Sequence, residues 1–250
     1  MAGVGGEFTR RLLVDAGITD GMRVLDVGCG SGDVALMAAV IVGGQGEVVG
    51  VDLDPAALAM ARQRVSELGI ANVSFVEGGF AASDASEALF DAVVGRRVLM
   101  YQREPIESVM ALARRVRPGG LVVFQEHDAS TMPASRVPMP LHRQVQQWMR
   151  ETVTAEGANI HIGFDLHSMF SQAGLLVGEV RAEAIVLTAD QLYPAAAIIR
   201  AMMPRILRYG VATEREIDID TLEQRLAEER LTVGATYLAD MMFGIWARKP

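Results

Sequence analysis

The stretch Val24-Leu25-Asp26-Val27-Gly28-Cys29-Gly30-Ser31-Gly32-Asp33 constrains this chain more than any other, because it runs from an apolar strand through three alternate glycines into an apolar helix. Without Cβ atoms such a turn is tight and lets a ligand approach the backbone, and the helix behind it offers unpaired N–H groups and the positive end of its dipole. A ligand with a ribose or a carboxylate suits that place. The spacing is G-x-G-x-G, not the G-x-G-x-x-G of a pyrophosphate-binding turn. About 20 residues on, Val48-Val49-Gly50-Val51-Asp52-Leu53-Asp54-Pro55 reads as a second strand ending in an acid, from which a carboxylate can accept both hydroxyls of a ribose. Asp52 is the expected ribose ligand. Asp54, directly before a proline, suits the cap of the next helix.

The first half alternates strand patterns at 23–27, 47–52, 73–76, 90–95 and 120–127 with helix patterns near 32–42, 55–69 and 105–117. That order predicts an α/β, doubly wound, Rossmann-like parallel sheet covered on both faces. Arg117-Pro118-Gly119-Gly120 reads as the stop that turns the third helix into the fifth strand. Past Asp128 the order loosens: Leu141 to Glu156 and Asp165 to Ala173 read as helices, 177–188 as a long strand, and Ala235 to Arg248 as a final strand. Residues 190–209 read as a helix broken at Pro194 and Pro204, and 219–230 as a charged amphipathic helix. A single domain over 1–250 is expected, with 129–164 and 190–232 as helical insertions over the ligand edge of the sheet.

Composition narrows the partners. With 31 acidic against 23 basic side chains and a net charge of −8, no general phosphate-binding surface for nucleic acid is expected. Cys29 is the only cysteine, which excludes an internal disulfide framework and suits a reducing cytoplasm. The start of the chain shows no export pattern, and the longest apolar run, Val34 to Val42, is too short to span a bilayer.

In order along the chain, Val24 to Gly32, Asp52, Phe90-Asp91-Ala92-Val93-Val94 and Arg117 to Gly120 resemble the first motif, the ribose-binding acid, the fourth strand and the turn before strand five of class I S-adenosylmethionine-dependent methyltransferases. The likeness is to the broad small-molecule group that includes quinone-biosynthesis-like enzymes, and it covers roughly residues 8–128. It implies seven strands with the last one antiparallel and S-adenosylmethionine as cofactor. It also implies Asp26, Gly28, Gly30 and Gly32 near the methionine and ribose, Asp52 on the ribose and Leu53 against the adenine. Two departures stand out. The related Glu-Gly-Asp after strand three is here Glu77-Gly78-Gly79, so backbone at Gly78 to Phe80 and the Phe80 ring would have to serve the adenine, unless Phe80 is a core residue. The N-terminal helix is short, leaving Phe8 and Arg10 to cover the methionine end, or Arg10 to sit in solvent.

Methyl transfer from a sulfonium needs little beyond a positioned acceptor and a place for its proton. After strand four, Arg96 and Tyr101 are candidates beside the cofactor and acceptor, whereas Arg97 is expected to pair an acid. Strand five ends in Gln125-Glu126-His127-Asp128, where His127 can take a proton and Glu126 or Asp128 orient it; the competing reading is a polar strand end satisfied by loop backbone. No metal is expected, since His142, His161 and His167 lack a short ligand spacing, and Cys29 fits a packing role in the turn. Met132, Met139, Trp148, Tyr193, Met202 and Met203 suit either an apolar acceptor pocket under a lid or ordinary core, with Trp148 or Tyr193 expected on the pocket wall. The 190–230 helices offer a homodimer contact as another use of that surface. The expected function is methyl transfer to O, N or C of a small, partly apolar molecule. An NAD-dependent oxidoreductase would share the glycine turn and Asp52, but the glycine spacing and the Arg-Pro-Gly-Gly turn disfavour it. A non-catalytic S-adenosylmethionine-binding protein would suit Gly79 and the short N-terminal helix.

Overall fold

The computed structural model describes residues 4–79, 89–131, 134–188, 190 and 194–250. Helix α1 (Val4–Ala16) leads into β1 (Arg23–Val27), α2 (Asp33–Val42), β2 (Glu47–Asp52), α3 (Pro55–Leu68), β3 (Val73–Glu77) and β4 (Phe90–Arg96). Next come α4 (Pro105–Arg114), β5 (Val116–Asp128), a two-residue β6 (Ala134–Ser135), α5 (Pro140–Ala155), α6 (Ile162–Gln172) and β7 (Leu176–Leu187). Three helices, α7 (Ala195–Arg208), α8 (Glu214–Ile217) and α9 (Ile219–Val233), precede β8 (Tyr237–Arg248).

Strands β3-β2-β1-β4-β5 pair in parallel, and β8 runs antiparallel between β5 and β7. The sheet is therefore the expected doubly wound one, with seven long strands and the short β6 added beside the start of β8. Two boundaries differ from the sequence reading. Helix α4 stops at Arg114, and the Arg-Pro-Gly-Gly segment already belongs to β5, where Gly119 takes φ 75° and its N–H donates to the Lys249 carbonyl. Helix α7 runs through Pro204 and takes Pro194 as its N-cap, so Pro204 costs one hydrogen bond without ending the helix. Buried contacts of Ile199, Met202 and Ile206 hold both sides of that proline in place.

Three apolar cores result. One lies between the sheet and α1–α2, around Phe8, Leu12, Val34 and Val123, and a second between the sheet and α4 and α6, around Leu112, Phe124, Leu166 and Phe170. The third is separate and belongs to α5, α7, α8 and α9, where Trp148, Ile199, Ile206 and Leu222 close on one another. His142 ties this group together, its Nδ1 lying 2.6 Å from Glu229 Oε2 across α5 and α9. Among the described residues no helix is long and apolar enough to cross a membrane.

Candidate active site

The glycine turn at the end of β1 places Gly28, Gly30 and Gly32 at φ 62°, 51° and 85°, a region in which side-chain-bearing residues are strained. A Cβ on Gly28 would stand 2.7 Å from Val98 Cγ2, whereas one on Gly30 would meet nothing within 4 Å. Gly28 thus lets the segment after β4 close in, and Gly30 faces open space. The Gly30 N–H donates to Asp52 Oδ2 at 2.7 Å and the Asp54 N–H to Asp52 Oδ1 at 2.9 Å, so the acid ending β2 is tied to the turn ending β1. Asp54, as its position before Pro55 predicts, caps α3 by accepting the Ala56 N–H at 2.8 Å. Leu53 is 74% exposed beside Gly79, whose missing Cβ would lie 3.8 Å from Leu53 Cδ2, and the Gly78 N–H donates to the Asp52 carbonyl. Phe80 lies outside the described residues, as do Met132 and Tyr193.

Asp26, within β1, is 1% exposed, and its carboxylate oxygens make no close hydrogen bond, although the Ala35 N–H lies near enough to favour the charged form. Burial pushes its pKa up to about 8, against the opposing pull of nearby Arg96. Arg96, leaving β4, donates to Asp33 Oδ2 at 2.9 Å, while Arg64 of α3 donates to Asp33 Oδ1 at 2.8 Å. The arginine that pairs an acid is therefore Arg96, not Arg97 as expected. Arg97 instead takes φ 58°, and its N–H donates to the Gln125 carbonyl. Cys29 is buried, and its thiol is pushed well above the usual range, chiefly by that burial, consistent with a packing role.

The four polar residues ending β5 separate by face, since successive side chains of a strand point to opposite sides. Glu126 is fully buried, and its Oε1 accepts the Val98 N–H at 3.0 Å and the Leu99 N–H at 2.8 Å, holding the 3-10 turn Leu99–Tyr101. Its burial raises the pKa to about 7. Gln125 points the other way and accepts the Thr9 hydroxyl of α1. Asp128 accepts the N–H and the hydroxyl of Ser130. No hydrogen bond joins Glu126 or Asp128 to His127, so neither orients the imidazole. His127 borders a cavity, and burial together with the charges of Arg97 and Arg96 lowers its pKa to about 3.

That cavity measures about 320 Å³. Met100, Met149, Val153, Ile198 and Met202 form its apolar side, and Arg97, Tyr101, His127 and Asp240 are among its polar groups. A second chamber of about 570 Å³ adjoins it, the two sharing Ala129, Gln146, Arg150 and Asp240. Several expected residues lie elsewhere. Trp148 is in the third core and Met139 in the first, Phe8 is buried against the sheet, and Arg10 pairs with Glu7 in solvent. Helix α1 reaches this end of the sheet through Thr9 instead. Gln146 and Asp240 went unnoticed in the sequence, although Gln146 falls among His142, Val145 and Met149 on the buried stripe of α5, where a polar residue is out of pattern.

The pattern of the methyltransferase-domain family matches residues 18–174. The chain is 35% identical over 157 residues to a ribosomal protein L11 methyltransferase of Ralstonia nicotianae, covering 59% of this chain and 49% of that one. It is 30% identical over 126 residues to a demethylmenaquinone methyltransferase of Staphylococcus aureus, covering 50% and 52%. The chain spans about half the length of these curated relatives. Its fold is similar to that of a Haemonchus contortus phosphoethanolamine N-methyltransferase solved in complex with S-adenosylmethionine, with a TM-score of 0.61, 18% identity, and 98% of this chain and 52% of that one covered. A family match over more than half of the chain, on a sheet whose last strand is inserted antiparallel, shows that it belongs to the methyltransferase-domain family, of the class I S-adenosylmethionine-dependent type.

Proposed function

We propose that this chain transfers the methyl group of S-adenosylmethionine to an O, N or C atom of a small, partly apolar acceptor seated in the 320 Å³ cavity. The observation that carries this reading is that His127 and Tyr101, at the carboxyl ends of β5 and β4, border one cavity with the apolar residues of α5 and α7. A pocket of that size under two helices supports a small acceptor better than a folded protein surface.

The residues of the glycine turn fit the cofactor. Gly30 opens onto free space, and the buried carboxyl of Asp26, two residues before the first glycine of the turn, is the group an ammonium would satisfy. Asp52 would accept the ribose hydroxyls, Leu53 and the Gly78–Gly79 backbone would flank the adenine, and Arg96 would close the methionine end with Asp33. The chemistry the cofactor would supply is a methyl carbon activated on a sulfonium, open to displacement by the acceptor atom with the C–S electron pair left on sulfur. His127, with its pKa lowered to about 3, is uncharged and weakly basic at neutral pH, so its role is orientation. A ring nitrogen accepts a hydrogen bond from the acceptor's O–H or N–H and aligns the reacting lone pair, and the proton released as the new bond forms passes to solvent. Tyr101 borders the same space from the turn that Glu126 holds, which makes Glu126 a positioning residue.

Calorimetry with S-adenosylmethionine and S-adenosylhomocysteine tests the cofactor site. Asp52→Ala should weaken both by on the order of 1.5–3 kcal/mol, the loss of hydrogen bonds to a charged group, while wild type binds NAD far more weakly than either. An unchanged affinity in the variant removes Asp52 from the site, and tight NAD binding by wild type restores the oxidoreductase reading.

A further inference from the structure

The wall shared by the two chambers carries an unmet demand. Gln146 is 6% exposed, its Oε1 has no hydrogen-bond partner, and it borders both spaces. Burying an amide oxygen unpaired is costly, so such groups stand where a ligand or water completes them. Asp240 borders both spaces as well, and its pKa is raised to about 6, chiefly by burial and then by nearby Asp128, whose Oδ2 is unpartnered. Thr131, on the outer chamber, adds a hydroxyl oxygen that is also buried and unpartnered. Of the polar side chains shared by the two chambers, Arg150 already has a partner, while Gln146 and Asp240 present acceptor oxygens at the neck. An O–H or N–H placed there would satisfy the Gln146 oxygen and Asp240.

We propose that the acceptor spans the neck, and that Gln146 with Asp240 selects molecules bearing a hydroxyl or amine N–H remote from the atom that is methylated. This rests on the acceptor cavity proposed above. The inner chamber takes the apolar body and presents the reacting atom to His127, the neck reads the second polar group, and the outer chamber admits whatever lies beyond. Discrimination follows the general rule that a site built to hydrogen-bond a substrate group rejects the analogue lacking it far more strongly than an apolar pocket rejects a missing methylene.

The test is direct binding, by calorimetry on protein saturated with S-adenosylhomocysteine, of hydroquinone, naphthalenediol and biphenyldiol, each against its monomethyl ether. In at least one pair the diol should bind about 10-fold or more tightly than the ether, which keeps one hydroxyl but loses the second donor. Gln146→Leu should erase that ratio. Gln146→Glu, which keeps an acceptor oxygen, should retain it, as should Gln144→Leu on the exposed side of α5. Equal affinities within every pair would mean that water alone meets the buried amide, and would overturn the proposal. A preference that survives Gln146→Leu, or binding of no probe to protein that does bind S-adenosylhomocysteine, would overturn it too. Failure to bind S-adenosylhomocysteine at all would instead overturn the cofactor reading.

Discussion

Glu126→Ala is expected to lower unfolding stability by about 2–6 kcal/mol, because it strips the acceptor from two buried N–H groups at once, each costing about 1–3 kcal/mol when left unpaired. Those donors, Val98 and Leu99, have Glu126 Oε1 as their partner, and the side chain itself is fully buried. Glu126→Gln keeps an oxygen in that place and cannot ionise, so it should stay close to wild type. Urea titration of the three proteins at neutral pH measures the difference; an alanine variant within about 1 kcal/mol of wild type would show that the turn finds other partners. The same experiment bears on function. The turn carries Met100 and Tyr101 into the acceptor cavity, so the alanine variant, where it folds, should lose acceptor affinity more than affinity for S-adenosylhomocysteine.

Stability should fall as pH rises from about 4 to about 8, and Asp26→Asn should remove a large part of that slope. Asp26 has its folded pKa raised to about 8, Glu126 to about 7 and Asp240 to about 6, in each case mainly by burial, from ordinary values of 3.8, 4.5 and 3.8. His127, lowered to about 3 from 6.5, has the opposite sign and offsets one of these groups below about pH 6.5. Between the ordinary and raised values the folded chain keeps protons that the unfolded chain has released. The stabilisation is therefore complete in acid below the ordinary pKa and is lost as pH climbs through the folded one. Each pH unit between the two values corresponds to ~1.4 kcal/mol per group. The Asp26→Asn variant, neutral at every pH, should match wild type near pH 4 and melt higher at pH 8. Its gain should come with weaker S-adenosylmethionine binding, since the proposed ammonium partner is gone. Melting temperatures at several pH values, taken without cofactor, decide the matter: parallel curves for the two proteins would mean that Asp26 does not carry the proton.

The alternation from Arg23 to Asp128 was legible because each strand is a continuous apolar run and each turn has its own punctuation. The Gly28-Gly30-Gly32 turn, the acid at Asp52 and the cap at Asp54 all lie where their spacing places them. What escaped reading depends on contacts distant in sequence. That Arg96 and not Arg97 pairs an acid follows from the position of Asp33 at the start of α2, 63 residues earlier. Gln125-Glu126-His127-Asp128 looks like one proton-transfer cluster in a linear chain, yet strand alternation and the nearby 98–101 turn give its members different partners. Pro204 looks like a helix end because local propensity is all that a sequence displays, while the packing that carries α7 past it comes from α5 and α9.

The inserted final strand has a consequence for synthesis. Among the described residues, strands β5 and β7 are joined through β8, whose pairing runs from Leu121↔Arg248 to Asp128↔Met241 on one side and along β7 on the other. While the nascent chain has emerged from the ribosome only as far as α9, both strands present open edges with unpaired backbone groups, a state prone to joining other chains. The chain cannot close its sheet until residues 237–248 are free, so its vulnerable interval during translation lasts until nearly all of this sequence has been made.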